Sequence, residues 1–313
     1  MRIVFFGTSE FAVPSLEALL RSKHNILAVV TQPDRKKGRS LKLSQAPVKV
    51  AAERGGVSVY QPQDASGAES VARLRALRPD LFVVIAFGQI LKKEALDIPS
   101  IFSVNIHGSL LPKYRGAAPT NWAIINGDKV TGVTAIKLNE KMDAGDIIYK
   151  EEVAIESRDT NAALTEKLAS CGASVLTKAI EMVEVKGKTL PLIRQQERDV
   201  TYAPKLKKSD GLINWNDPPA VIHNKVRGFL PWPGAYTHYD GKVLKVLRTE
   251  ISKVSFNSAA SGEVVVASAE QGIVVHAGSG TISIKELQPE GKKAMDSGAF
   301  LLGHALKKGY RFK

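Results

Sequence analysis

Asn105 and His107, two residues apart, and Asp143 have the residue types and spacing to act together on one small group. From Ile101 to Ile106 the residues are mostly apolar and β-favouring, which predicts a strand whose positions 105 and 107 emerge on one face. An amide offers two hydrogen-bond donors, and an imidazole offers another or carries a proton near neutral pH, so the pair suits a developing oxyanion. With no cysteine or serine nucleophile elbow beside them, the chemistry they suggest is acyl transfer without a covalent enzyme intermediate. A carboxylate is then wanted to set the protonation of the ring. Asp143 supplies it, in the turn Lys141-Met-Asp-Ala-Gly-Asp146 that follows the strand-like Thr131 to Leu138. Taken singly each residue has a plainer role: a cap or turn for Asn105, a satisfied core histidine for His107, loop chemistry for Asp143. After the strand, Gly108 lets the chain turn and Leu110-Leu111-Pro112 forms an apolar lip, which reads as a pocket wall.

The elements that must carry these residues alternate between strand and helix. Arg2 to Phe6 is a buried-type strand ending at Gly7, and Val13 to Leu20 is a helix opened by Pro14. Only Gly7 stands in that turn, so the Gly-x-Gly-x-x-Gly fingerprint of dinucleotide enzymes is missing. Strands follow at Ile26 to Thr31, Val57 to Tyr60 and Asp80 to Ala86, with helices at Pro47 to Arg54 and Glu69 to Leu77 between them. The fold class expected is α/β, a Rossmann-like, doubly wound and mostly parallel sheet. In such sheets ligands gather at the carboxyl ends of strands, so the turn at 86–91, with Phe87 and Gly88, should line the same pocket as 105–112. A helix over Ala118 to Asn126, strands over Val130 to Leu138 and Asp146 to Ile155, and a long helix over Thr160 to Lys186 complete a first domain at 1–187. Residues 188–206, with two prolines and many charges, read as a linker. From 207 to 313 the pattern changes to short strands. Asp240-Gly241 is a hairpin signal between Tyr236 to Tyr239 and Lys242 to Arg248, and a small OB-like β-barrel is expected. Trp232, between prolines, is expected to be a packing corner.

The chain of 313 residues carries a formal charge of +13. Its last third is the denser in positive charge, with 16 Lys and Arg against 9 Asp and Glu over 205–313. That balance suits a polyanion, nucleic acid before membrane. Arg35, Lys36, Lys37, Arg39 and Lys42 crowd one long polar segment, 32–44, which fits a loop that neutralises phosphates. Cys171 is the single cysteine, which excludes an internal disulfide and a multi-cysteine zinc site and makes a reducing compartment the default. Asp143 and Asp146 lack the His and carboxylate neighbours of a metal site, and no metal is expected. Met1-Arg-Ile-Val-Phe-Phe enters a strand directly, without the regions of a signal peptide, and about 18 consecutive apolar residues occur nowhere. The expectation is a cytoplasmic protein.

Asn105-x-His107, Ser109-Leu-Leu-Pro112-x-Tyr-Arg-Gly-Ala-Ala-Pro119 and Asp143-x-Gly-Asp146 together resemble the formyltransferases that use 10-formyltetrahydrofolate. Thr31-Gln-Pro-Asp-Arg35, Pro231-Trp-Pro233 and Leu287-Gln-Pro-Glu-Gly-Lys-Lys-Ala-Met295 extend the resemblance over essentially the whole chain. It implies a catalytic trio of Asn105, His107 and Asp143, and folate contacts from Ser109, Leu110, Leu111 and Pro112, with the pterin ring near Phe87 and Gly88. The folate would be a co-substrate. Within the family the chain is most similar to the branch whose acceptor is the amine of initiator methionyl-tRNA, which implies that the basic loop enters the acceptor arm. Two rivals stand beside that expectation. A formyltransferase for a small amine, such as a sugar nucleotide or glycinamide ribonucleotide, would need neither the basic loop nor the basic barrel. An RNA-binding protein with an inactive formyltransferase domain would not need the trio intact.

Overall fold

The computed structural model describes residues 1–37, 42–254 and 259–313, which fall into two compact units. The first comprises Met1–Pro119, Val130–Ala154 and Thr165–Ala203, and the second Thr120–Lys129, Ile155–Leu164 and Pro204–Lys313. In chain order the strands of the first are β1 (Arg2–Gly7), β2 (Asn25–Val30), β3 (Arg35–Lys37), β4 (Lys42–Ser44), β5 (Val59–Tyr60), β6 (Leu81–Ile85), β7 (Phe102–His107), β8 (Arg115–Gly116), β9 (Val130–Lys137), β10 (Ile147–Ala154) and β11 (Tyr202–Ala203). The main sheet runs β10-β9-β7-β6-β1-β2-β5, parallel from β7 to β5 and antiparallel at β9 and β10. The chain passes from β1 outward to β2 and β5 and then returns to the other side of β1 as β6. Strand order therefore reverses between β1 and β6.

Apolar runs explain the centre of this sheet. Every residue of β6 is buried, as expected of a parallel strand covered on both faces. Phe6 packs against Phe82 and Phe87 with ring centroids 4.8 and 5.3 Å apart. Burying each such ring contributes about 1.5–3 kcal/mol. The helices are α1 (Val13–Leu20), α2 (Pro47–Arg54), α3 (Ala68–Ala76), α4 (Lys93–Leu96), α5 (Pro119–Ile125) and α6 (Asn161–Lys186). Cys171 lies within α6, where burial lifts its thiol to about 11. The polar segment expected as a loop forms a hairpin, β3 pairing antiparallel with β4, while 38–41 lie outside the described residues.

Two features differ from the division read off the sequence. The stretch 188–203 is folded onto the first unit: Ile193 exchanges backbone hydrogen bonds with Ile147, and β11 pairs with β8. Prolines and charges there report exposed side chains, and the backbone beneath them is still paired. Conversely, 120–129 and 155–164 belong to the second unit, where the Trp122 indole donates to the Pro204 carbonyl at 2.9 Å and Arg227 donates to the carbonyls of Glu156 and Asp159.

In the second unit α7 (Pro219–Gly228) precedes β12 (Ala235–Tyr239), β13 (Lys242–Ile251), β14 (Val264–Ser268), β15 (Gly272–Ala277), β16 (Gly280–Pro289) and β17 (Met295–Asp296), and α8 (Ser297–Gly303) follows. The sheet is antiparallel, in the order β12-β13-β16-β15-β14, with β17 on β16. Asp240 and Gly241 both have positive φ, 48° and 74°, as a two-residue hairpin turn requires. Trp232 is 52 % exposed rather than a packing corner. Trp215 fills the interior, stacked on Phe312 at 5.6 Å with its indole N–H on Thr237 Oγ1.

Candidate active site

β7 holds the site because it ends beside the reversal of strand order. Asn105 pairs with Val84 of β6 and Ile136 of β9, and His107 with Thr134 of β9, so both lie at the carboxyl end of a central strand. Asn105 is half-buried and His107 buried. Nε2 of His107 lies 2.9 Å from the Tyr114 carbonyl oxygen. A carbonyl only accepts, so Nε2 carries a hydrogen. The other ring nitrogen, Nδ1, faces Asp143, whose Oδ1 lies 3.6 Å from it, too far for a hydrogen bond.

Asp143 is set by the turn between β9 and β10. Its φ of 52° is in the left-handed region, and Oδ2 accepts from the Gly116 N–H at 2.8 Å. Gly145 is required there, since a Cβ would sit 1.8 Å from the Lys137 carbonyl oxygen. Gln195 braces the same turn: its Nε2 donates to the carbonyls of Asp143 and Gly145 at 2.8 and 2.7 Å, while its Oε1 accepts from Arg115 Nε and Nη2 at 3.0 and 2.9 Å. Neither residue was legible as part of a site. Gln195 stands in what reads as a linker, and Arg115 belongs to a quoted motif without a role of its own. Among the described residues no group of three or more His, Cys, Asp or Glu could hold a metal ion.

Residues 109–113 are fastened to β9 through Thr134, whose hydroxyl donates to the Ser109 carbonyl at 2.6 Å and accepts from the Leu111 N–H at 3.1 Å. The Ser109 hydroxyl donates to the Lys113 carbonyl at 2.6 Å and so shapes this turn. Leu111 is fully buried with Ile136 and Ile147, and Phe87 is buried in the core with Phe6 and Phe82. Those two side chains are therefore turned into the core. Leu110 and Pro112 are half-buried, and Gly88 is exposed at φ 86°. Leu110 lies over Gly132, where a Cβ would meet its Cδ2 at 2.5 Å.

Of the basic residues, Arg35 is exposed and donates from Nη2 to Gln32 Oε1 at 3.0 Å. Lys36 and Lys37 lie on β3 and Lys42 on β4, while Arg39 lies outside the described residues. The base of this hairpin is tied down by Asp34, which accepts from Lys49 Nζ at 2.7 Å and from Gln61 Nε2 at 2.8 Å, and the Lys49 bond holds its carboxyl below the usual range.

A mostly parallel sheet with an amide and an imidazole at the carboxyl end of one strand, and a carboxylate brought beside the ring by the turn between β9 and β10, defines the class. Residues 1–180 match the family described as Formyl transferase and residues 205–305 match Formyl transferase, C-terminal domain. The chain belongs to the formyl transferase family. Curated relatives carry a particular name, Methionyl-tRNA formyltransferase: that of Geobacter metallireducens is 44 % identical over 99 % of this chain and 98 % of its own length. That of Acetivibrio thermocellus is 45 % identical over 99 % and 98 %. Among solved structures, WlaRD, a sugar 3N-formyl transferase crystallised with dTDP and 5-N-formyl-THF, shares the fold at a TM-score of 0.68 and 20 % identity, over 94 % of this chain and 99 % of that one. HypX from Aquifex aeolicus, in complex with tetrahydrofolic acid, does so at 0.61 and 18 %, over 96 % of this chain and 47 % of that one.

Proposed function

We propose that this protein transfers the formyl group of 10-formyltetrahydrofolate to the α-amino group of initiator methionyl-tRNA, giving N-formylmethionyl-tRNA for translation initiation. The observation that carries the reading is the gathering of Asn105, His107 and Asp143 at the carboxyl end of β7. The acceptor is supported by the relatives' shared name over the full chain, by the basic hairpin, and by the positive excess after residue 204. In this reading the first domain binds the folate and does the chemistry, and the C-terminal domain contacts tRNA. A charged tRNA and a reduced folate as substrates make the protein cytoplasmic; among the described residues no helix is long and apolar enough to cross a membrane.

The lone pair of the neutral amine attacks the formyl carbon, and the carbonyl electrons move onto its oxygen. Donors from the Asn105 amide and His107 Nδ1 hold that oxyanion. The bond from Nε2 to the Tyr114 carbonyl fixes the orientation of the ring. Asp143 pairs with the charged ring and relays the amine proton toward N10 of the folate as the bond from carbon to N10 breaks. Leu110, Pro112 and the backbone of 87–88 and 109–111 form the folate wall. No covalent enzyme intermediate is needed. Formyl transfer from the folate to methionyl-tRNA, with free methionine and an amino-sugar nucleotide as competing acceptors, tests the reading; preference for the sugar nucleotide would refute the tRNA assignment.

A further inference from the structure

We infer that Gln195 is the positioning residue for Asp143, and that segment 193–203 is a strap setting the carboxylate against His107; this rests on the reading of Asp143 as part of the active site. The turn carrying Asp143 leaves the ladder of β9 and β10 and holds residue 143 at a left-handed φ, so the ladder's own pairing does not reach its carbonyl. Gln195 does. It is 5 % exposed, and its amide is saturated: both N–H groups go to the carbonyls of Asp143 and Gly145, and Oε1 takes both donors from Arg115. A buried amide with four bonds has one low-energy placement.

The same strap sets the other partners of the carboxylate and the ring. Thr201 accepts the Arg115 N–H on its carbonyl and the Tyr114 N–H on its hydroxyl, each at 2.9 Å, and Ala203 accepts the Ala118 N–H at 3.2 Å. Gly116, fixed between them, donates to Asp143 Oδ2, and Tyr114 offers the carbonyl that holds His107 Nε2. Gly116 lies so close to the strap that a Cβ would come within 2.7 Å of the Ala203 carbonyl oxygen. One segment therefore fixes the backbone beneath Asp143, the donor to its carboxylate and the acceptor of the imidazole.

Two substitutions separate this role from general stability. Gln195→Leu removes all four bonds, whereas Gln195→Glu keeps an acceptor for Arg115 and loses both donors to the turn. Each should lower kcat by about 10- to 100-fold, the cost of a misplacement of roughly 1 Å, with KM for folate and methionyl-tRNA nearly unchanged. The deciding measurement is a double-mutant cycle with Asp143→Asn, read as kcat of the full-length chain. If Gln195 acts through the charge of Asp143, either substitution should cost less than about 3-fold in the Asp143→Asn background. Equal losses in both backgrounds, or wild-type kcat in Gln195→Glu, would overturn the inference. Should Gln195→Leu fail to fold, Gln195→Glu carries the same cycle. The underlying reading fails separately, through a wild-type chain that does not formylate methionyl-tRNA or an Asp143→Asn variant with full activity.

Discussion

Replacing Asp143 by Asn isolates the charge of the site from its shape. The amide oxygen of Asn can still accept from the Gly116 N–H, and the carbonyls of 143 and 145 keep their bonds to Gln195, so the turn should persist. What is lost is the negative charge 3.6 Å from His107 Nδ1, between side chains only 7 and 14 % exposed. At an effective dielectric of about 20, a unit pair at that distance is worth about 4–5 kcal/mol, an upper bound near three decades of rate. Water reaching the partly open carboxylate lowers this, and the loss expected in kcat is about 10²–10³-fold, the range of a missing oxyanion donor. His107→Ala should cost a similar factor. Because both residues serve one transition state, the double variant should be far less impaired than the product of the two losses. Single-turnover formylation of methionyl-tRNA by excess enzyme, with circular dichroism to verify folding, measures the chemical step. Multiplicative losses, or a folded Asp143→Asn protein with wild-type kcat, would refute the reasoning.

Changing Arg35, Lys37, Arg39 and Lys42 to Ala should weaken tRNA binding and reduce its salt dependence by up to about 0.7–0.9 log units for each phosphate contact removed; an unchanged slope would take the hairpin out of the interface. Cys171, lifted by burial from 9.0 to about 11, holds about 100-fold less thiolate at pH 8 than an ordinary thiol. Iodoacetamide should accordingly modify the folded chain about 100-fold more slowly than the guanidinium-unfolded chain, and equal rates would contradict the burial of this thiol. His223 is held below its ordinary 6.5, first by burial and then by the Arg227 cation. Its neutral ring is favoured in the folded state, so the unfolded chain binds the proton more readily and stability falls as pH drops below 6.5. Denaturation midpoints at pH 7.5 and 5.5 should differ more for the wild type than for His223→Gln; identical differences would exclude this histidine as a source.

Local chemistry made a good part of this protein legible. An apolar run ending in Asn105-Ile-His107 predicts a strand with two polar groups on one face, and β7 ends at His107. Asp240-Gly241 predicts a hairpin because only residues tolerant of positive φ complete so short a turn, and both adopt it. The buried strand β6, the helix at Pro47–Arg54 and the long helix ending at Lys186 follow in the same way from periodicity and caps. Only the tertiary structure decided which groups meet. Gly116 and Asp143 are 27 residues apart and Arg115 and Gln195 are 80 apart, and strand order alone brings them together. Phe87 is expected to line the pocket because it follows the carboxyl end of a strand, yet its ring packs on Phe6 in the core, a side-chain direction that strand position does not fix. Residues 188–206 read as a linker because of their two prolines and many charges, whereas 188–203 pair with backbone groups at Tyr114, Arg115 and Ile147 that only the assembled sheet presents. Propensity and periodicity act within a few residues of one another and can be read along a chain; the partners of a carboxylate or an amide depend on contacts across the whole fold, and no local pattern encodes them.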